Sequence, residues 1–457
     1  MNRKNRREFL KESLSIGAAS VTIPATAATP GVVRATHRAV SANDKIVIGL
    51  MGAGGRGNAL LEMYAARPDV EIAWICDVNP AKFARPVKTV EANKNKAPRV
   101  DGDFRRMLDD KSVDAVINAT PAHWHALAAV WACQAGKDMY VEKPASHNVR
   151  EGRKMVEAAR KYKRVIQVGL QNRSCDHGWS ARDYIKSGAI GTVHLARVNN
   201  MILRNRVDKG PDQPPPEGMN WDMYLGPAPM RPYNPIYHNF MFWDLDGGNL
   251  TDDGIHQLDL ARYALDLGYP RAVTHTGGNY HFKDAGQTPD TILATYEYDG
   301  LSLIFESIWW GKYMRKTPEE IRNGTPEMFP DWYPFNGTRI EIYGSDGYML
   351  LGRHGGGWQA FDRKGRLLKK DKMTHIKTQH AHIGNFLDCV RSRALPRADV
   401  AEAHITTTMC HLGNISYRVG NRRLEFDPRT ETIPGDADAS RYMNRTWRKP
   451  WVMPDKV

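Results

Sequence analysis

The stretch KIVIGLMGAGGRGNA, residues 45–59, constrains the fold of this chain more than any other. An apolar run of strand character ends on Gly52-x-Gly54-x-x-Gly57, and a helical pattern from Arg56 to Ala66 follows at once. Glycine trios are common, and it is the position between a strand and a helix that gives this one meaning. Gly52 permits the tight turn, Gly54 lets the backbone approach a pyrophosphate, and Gly57 lets the helix lie close to the strand. The helix N-terminus then faces the phosphates. Gly55 and Arg56, in the same turn, are expected among the cofactor contacts.

The following segments repeat that grammar. VEIAWIC, VDAVINA, DMYVE and RVIQVG read as further strands, with helical patterns such as ALAAVWACQAG and VREGRKMVEAARKY between them. Alternation of this kind predicts a parallel sheet covered on both faces. The second strand ends at Cys76-Asp77, the distance downstream at which a carboxylate accepts hydrogen bonds from ribose hydroxyls. That carboxylate would repel a 2′-phosphate and no arginine follows it, so NAD is favoured over NADP.

Past about residue 170 the pattern changes to hairpins. DTILATYEYDGLSLIFESIWW turns at Asp299-Gly300, TRIEIYGSDGYMLLG at Asp346-Gly347 and WQAFDRKGRLLKK at Lys364-Gly365. With TVHLARV and AVTHTGG they predict an antiparallel sheet, accompanied by helices near Asp253 to Leu265 and Ala381 to Arg393. The fold class is therefore α/β followed by α+β: an N-terminal Rossmann dinucleotide-binding domain over residues 41–166, then residues 167–457 with an open, mostly antiparallel sheet for substrate binding and oligomerisation. GPDQPPPEGMN and the segment from Lys316 to Gly337 read as long loops.

A length of 457 residues fits two domains, since single cores stop growing at roughly 250–300 residues. The net charge of +13 comes from scattered Lys and Arg rather than a stripe, and no nucleic-acid motif accompanies it, so no nucleic-acid partner is expected. Five dispersed cysteines without C-x-x-C spacing argue against a zinc cluster or a disulfide framework. Residues 1–40 read as a signal peptide and linker. RKNRREFLK precedes the short apolar run SLSIGAASVTIPATAA, and Arg6-Arg7 followed by Glu8, Phe9, Leu10 and Lys11 resembles a twin-arginine export signal, with Ala25 to Ala27 as a cleavage region. The expected location is the periplasm, reached through the twin-arginine machinery. The apolar run is too short to span a bilayer, and no cysteine in the first 75 residues offers a lipid anchor.

The chemistry is expected at the carboxyl ends of the parallel strands, which face the ligand crevice. The third apolar strand ends at Asn118-Ala119-Thr120-Pro121, followed by His123 and His125; spacing of i, i+2 puts the two histidines on different helix faces and favours a cap or cofactor contact over a metal. The fourth runs into Glu142-Lys143-Pro144. A lysine there, beside a positively charged nicotinamide and partly buried, would have its pKa lowered toward a range useful for proton transfer, and Pro144 holds its backbone extended.

These motifs, with GGNLTDDGIHQLD, stand in the order and spacing of the glucose-fructose oxidoreductase, inositol dehydrogenase and MocA family, which the chain resembles from residue 45 on. The resemblance implies that Lys143 sits next to the nicotinamide and that Asp252 and His256 approach the substrate from the second domain. It implies dinucleotide contacts from the glycines, Asp77 and Glu142, the last toward the nicotinamide ribose, with Thr120, Pro121, His123, His125 and Asn172 also on the cofactor. Gln171, Asn172 and Arg173 would touch the nicotinamide end or, for Arg173, the substrate. It further implies metal-free chemistry on a sugar, glycoside or polyol, and a homo-oligomer.

Within GNLTDDGIHQLDL, residues 248–260, Asp252 and His256 lie one helical turn apart, Asp259 continues their face, and Asp253 is the expected helix cap. His256 is expected to take a proton from a sugar hydroxyl as hydride leaves the same carbon, Asp252 to orient substrate or imidazole, and Lys143 to polarise the reacting oxygen; either Lys143 or His256 could be the base. Three activities fit these residues: oxidoreduction with a tightly held cofactor, transient oxidation with elimination and re-reduction as in NAD-dependent glycosidases, and sugar binding with a structural dinucleotide. Trp221, Tyr233, Trp243, Trp309 and Trp310 could offer flat surfaces to sugar rings, core packing being the ordinary role.

Overall fold

The six-residue strand β1 (Ile46–Met51) carries the apolar run into the centre of a parallel sheet. Its neighbours are β2 (Val70–Cys76) and β4 (Ala115–Asn118). With β3 (Arg99–Asp101), β5 (Asp138–Val141) and β6 (Ile166–Val168) they form a six-stranded sheet of order β3-β2-β1-β4-β5-β6. The order reverses between β1 and β4, which opens a crevice at their carboxyl ends. This computed structural model describes residues 45–457 apart from 94–95, 202, 312–336, 354–356 and 372–377. The export motif and most of the Lys316 to Gly337 segment lie outside the described residues.

Helices α1 (Gly55–Ala65), α2 (Ala84–Ala92), α3 (Phe104–Asp109), α4 (Ala122–Gln134) and α5 (Val149–Lys161) connect the strands. Almost every residue of α4 is buried, which is why its sequence shows no amphipathic stripe. The start of α5 is set by Asn148, whose Oδ1 accepts from the Glu151 N–H at 3.0 Å while its Nδ2 donates to the Glu151 carboxylate at 2.6 Å. The exposed edge strand β3 was not foreseen; three residues, RVD, carry no apolar signal.

Among the described residues the second sheet has nine strands in the order β14-β13-β12-β11-β7-β10-β9-β8-β15. These are β7 (Val193–Asn199), β8 (Ala272–Gly278), β9 (Thr291–Tyr298), β10 (Leu301–Ile308), β11 (Arg339–Gly344), β12 (Gly347–Gly352), β13 (Trp358–Asp362), β14 (Leu367–Lys370) and β15 (Leu424–Glu425). All pairs are antiparallel except β7 with β10. Asp299-Gly300 forms the two-residue turn of the β9–β10 hairpin, since Tyr298 pairs with Leu301. The next hairpin turns one residue earlier than its Asp-Gly signal suggests. Tyr343 pairs with Tyr348, so Ser345 and Asp346 form the turn and Gly347 belongs to β12, where a Cβ would lie 2.3 Å from the Phe361 carbonyl oxygen.

Among the described residues the remaining α-helices are α6 (Asp176–Lys186), α7 (Trp221–Leu225), α8 (Ile255–Leu265), α9 (Thr378–Ser392), α10 (Val400–Arg418) and α11 (Ala437–Ser440). Ile383, Phe386 and Leu387 of α9 share one apolar cluster with Ile48, Leu50 and Ile117 of the parallel sheet. The chain therefore returns late to cover a face of the nucleotide half. The unforeseen α10 packs against α5 and β8 and so touches both halves. No helix among the described residues is long and apolar enough to cross a membrane.

Candidate active site

The glycine turn is sterically closed where it meets the sheet and open where a ligand would lie. Gly52 has φ +85°, and a Cβ on it would meet the Ala119 carbonyl oxygen at 2.7 Å; one on Gly57 would stand 1.9 Å from the Gly52 carbonyl oxygen. Gly54 and Gly55 have nothing within 4 Å of a built Cβ, which leaves the backbone N–H groups of the turn approachable by a pyrophosphate. Asp77 accepts from the Ala53 N–H at 2.8 Å and the Asn79 N–H at 2.9 Å. Burial pushes its carboxyl above the usual range, against these two bonds. Beside it lies a cavity of about 90 Å³ lined by Gly52, Asp77, Thr120, Pro121, Trp124 and Tyr224 among others. The open cradle, the carboxylate and the aromatic walls fit the adenosine and pyrophosphate of a dinucleotide.

Met223 and Tyr224 on this wall were not foreseen, because they come from a segment more than a hundred residues after the glycine turn. That segment is anchored locally: the Asn220 N–H donates to the Val78 carbonyl at 2.9 Å, and Trp124 Nε1 donates to the Met223 carbonyl at 2.9 Å. Trp221 and Tyr233 pack in the segment's own apolar cluster, with Trp221 stacked on Tyr224 at 4.8 Å between ring centroids.

At the other end of the crevice, Glu142 is buried and accepts from Arg56 Nε at 2.7 Å and Tyr140 Oη at 3.2 Å. Arg56 Nη2 also donates to Gln379 Oε1 at 2.7 Å, and Gln171 Nε2 to Tyr140 Oη at 3.3 Å. Arg56 thus ties the glycine turn to the Glu142 loop and to α9. Asn172, also expected on the cofactor, is buried in the turn after β6.

Lys143 Nζ is ion-paired with Asp252 across the two halves of the molecule. Asp252 belongs to a π-helical turn, Leu250–Gly254, that leads directly into α8, where the buried His256 occupies the first turn. Burial alone would lower the Lys143 ammonium, but Asp252, Asp246 and Glu142 together carry it above its ordinary value. Neighbouring carboxylates outweigh desolvation here, where the sequence led us to expect a lowered value. Asp246 accepts from Thr251 Oγ1 at 2.8 Å and from the Gly247 N–H at 2.7 Å. Burial and the Asp252 charge push its carboxyl up to about 6, against Lys143.

Several assignments change with the tertiary structure. Asp253 does not cap the helix; it pairs with Arg353 Nη1 at 2.7 Å, and the π turn has no side-chain cap. Asp259 does not share the site of Asp252. It is fully buried and accepts from Arg173 Nε at 2.9 Å and Nη2 at 2.9 Å. Arg173, whose side chain is 4% exposed, also pairs with Glu402 at 3.3 Å, so its guanidinium is engaged by carboxylates of the protein itself. His125 places Nδ1 at 2.6 Å from the Pro144 carbonyl and Nε2 at 2.8 Å from the Thr120 carbonyl, so it braces two crevice loops and has no ring nitrogen left for the cofactor. His123 is buried, with Nε2 at 2.8 Å from the Tyr224 carbonyl, and burial drives its pKa down to about 3. It joins the nucleotide half to the segment that covers it.

Beyond Asp252 a cavity of about 300 Å³ opens between the π turn and the ends of β7 and β10, with Arg204, Asn239, Phe240 and Trp309 on its walls. Among the described residues no group of three or more His, Cys, Asp or Glu side chains is placed to hold a metal ion.

Comparison with known proteins agrees with this arrangement. Residues 46–170 match a model described as the oxidoreductase family's NAD-binding Rossmann fold, and residues 204–311 and 345–453 match the same family's C-terminal alpha/beta domain. The uncharacterized oxidoreductase YrbE of Bacillus subtilis is 26% identical over 266 residues, covering 58% of this chain and 67% of that protein. Levoglucosan dehydrogenase of Pseudarthrobacter phenanthrenivorans is 30% identical over 229 residues, or 48% of this chain and 50% of the enzyme. A glycosyl hydrolase family 109 protein of Stenotrophomonas maltophilia is 33% identical over 137 residues, 29% of this chain and 28% of its own. Among solved structures, levoglucosan dehydrogenase in complex with NADH and L-sorbose superposes with a TM-score of 0.63 at 18% identity, covering 84% of this chain and all of that one. Aldose-aldose oxidoreductase from Caulobacter crescentus, complexed with glycerol, gives 0.61 at 18% identity, with 84% and 100% covered. At that identity the likeness is one of fold. With both halves matched in order by models of one family, and with the glycine cradle and Asp77 in place, the chain belongs to the Gfo/Idh/MocA oxidoreductases and carries their NAD-binding Rossmann domain.

Proposed function

We propose that this protein oxidises a hydroxyl of a sugar, glycoside or polyol, with Lys143, Asp252 and His256 as its catalytic residues. The observation that carries the reading is the Lys143–Asp252 ion pair, which joins the loop after β5, at the carboxyl end of the parallel sheet, to the cavity beyond Asp252. A bound NAD supplies the hydride acceptor. Lys143, kept as an ammonium by its carboxylate neighbours, donates a hydrogen bond to the reacting oxygen and polarises it. A protonated lysine is not a base, so the hydroxyl proton passes to His256 as the C–H bond breaks and the C=O bond forms. Asp252 holds Lys143 in place.

The levoglucosan dehydrogenase likeness favours net oxidation, and the family 109 relatives favour the redox-neutral alternative of oxidation, elimination and re-reduction. Incubating NAD-loaded protein with a panel of polyols, sugars and glycosides separates them. Net growth of reduced-nicotinamide absorbance is the expected result. Released aglycone without net reduction would establish the glycosidase reading, and neither would leave a sugar-binding protein with a structural dinucleotide.

We also propose export through the twin-arginine route, supported by Arg6-Arg7 and the apolar run behind them. Folded export would carry the dinucleotide inside the protein, and the segment over the adenosine cavity favours its retention. Cell fractionation should find the protein in the periplasm and an Arg6→Lys/Arg7→Lys variant in the cytoplasm; wild-type protein confined to the cytoplasm would refute the route. A homo-oligomer built on the second sheet, and division into residues 1–40, 41–166 and 167–457, belong to the same proposal.

A further inference from the structure

The cavity beyond Asp252 holds two buried donors that the described residues leave unpaired. Trp309 is 3% exposed, and its indole Nε1–H has no acceptor; nor has the Arg204 Nε–H. Both side chains line the cavity that reaches Asp252. They are held together, since the Arg204 N–H donates to the Trp309 carbonyl at 2.9 Å. Phe282 lies 3.8 Å from the guanidinium carbon, and Phe240 packs edge-on against Trp309 at 5.4 Å. Buried donors without partners are rare in folded proteins and point to an acceptor supplied from outside.

The electrostatics narrow the class of that acceptor. Arg204 Nη1 donates to Asp284 at 2.6 Å and to the Asn205 carbonyl at 3.0 Å, and the Asp284 side chain is 1% exposed. The guanidinium charge is thus already offset inside the protein. The free edge calls for neutral oxygens, a hydroxyl, ether or carbonyl, rather than a carboxylate or phosphate. Apolar ring surface beside oriented N–H donors is the surface a pyranose unit matches, with its C–H face and its oxygens.

We infer that Arg204 and Trp309 form a subsite for a neutral second unit joined to the oxidised ring, so that the substrate is a glycoside or disaccharide rather than a free monosaccharide or polyol. The inference rests on the oxidation reading for what happens at Lys143, but not for what binds here. The test uses the full-length, NAD-loaded protein with three neutral probes, a free hexose, its methyl glycoside and a disaccharide containing it, read by both calorimetric binding and nicotinamide absorbance. The disaccharide should bind at least about tenfold more tightly than the hexose, the scale of one or two recovered hydrogen bonds. Trp309→Phe, which keeps the ring and removes the N–H, should reduce that ratio several-fold, with a thermal melt reporting that the variant folds. Equal affinity for hexose and disaccharide in the wild type, or no binding of any probe, would overturn the subsite whether or not the variant folds. Preferential disaccharide binding with no absorbance change would instead leave the subsite standing and remove the oxidation reading.

Discussion

Lys143→Met is expected to lose about 10²–10⁴-fold in kcat/KM for the sugar while still taking up NAD. Methionine keeps the length and packing of the lysine stem but cannot donate to the reacting oxygen. The glycine cradle and Asp77 lie outside the change, so a fluorescence titration with NAD should give a near wild-type affinity. The pH profile gives a second readout. Because the Lys143 pKa is raised, the ammonium is present across the neutral range and is lost only as pH rises through that raised value. Wild-type activity should therefore fall at high pH through loss of the donor, and the residual activity of the variant should lack that limb. A variant with the wild-type rate would mean that the Lys143–Asp252 pair is structural only.

Arg173→Ala is expected to destabilise the protein by about 3–5 kcal/mol, because truncating one partner of a buried ion pair leaves the other charge uncompensated. The abandoned partner is Asp259, whose side chain is 1% exposed. Only Thr406 Oγ1, donating at 2.7 Å, would remain to it of these contacts. Denaturant unfolding measures the loss, and in the folded fraction KM for the sugar should be unchanged. An Arg173→Met/Asp259→Leu double variant should recover most of the stability, since apolar replacement of a whole buried pair is often neutral or better. Unaltered stability with a raised KM would return Arg173 to the substrate.

The two variants probe the stretch where reading the sequence went furthest and fell short. Asp252, Asp253 and Asp259 stand within eight positions of one another and look alike in sequence, yet one meets Lys143, one Arg353 and one Arg173. Each partner arrives from more than 80 residues away, and helical spacing states which residues share a face but not what lies opposite it. The π turn adds to this, since its wider repeat removes the α-helical register between Asp252 and His256. Similarly, Thr120 and Pro121 were legible as cavity walls from their place at a strand end, whereas His123 and His125, two and four residues on, turned to the Tyr224, Pro144 and Thr120 carbonyls.

By itself the sequence determined the features set by local backbone chemistry: the Gly52 to Gly57 turn, the apolar central strands of the parallel sheet, and the Asp299-Gly300 hairpin. Each depends on a steric or solvation requirement met within a few residues. The tertiary structure alone decided which charges were neutralised, which donors were left unpaired, and which aromatic side chains walled the adenosine cavity. Those outcomes depend on desolvation and on partners distant in the chain, quantities that exist only once the two sheets and the helices between them have packed.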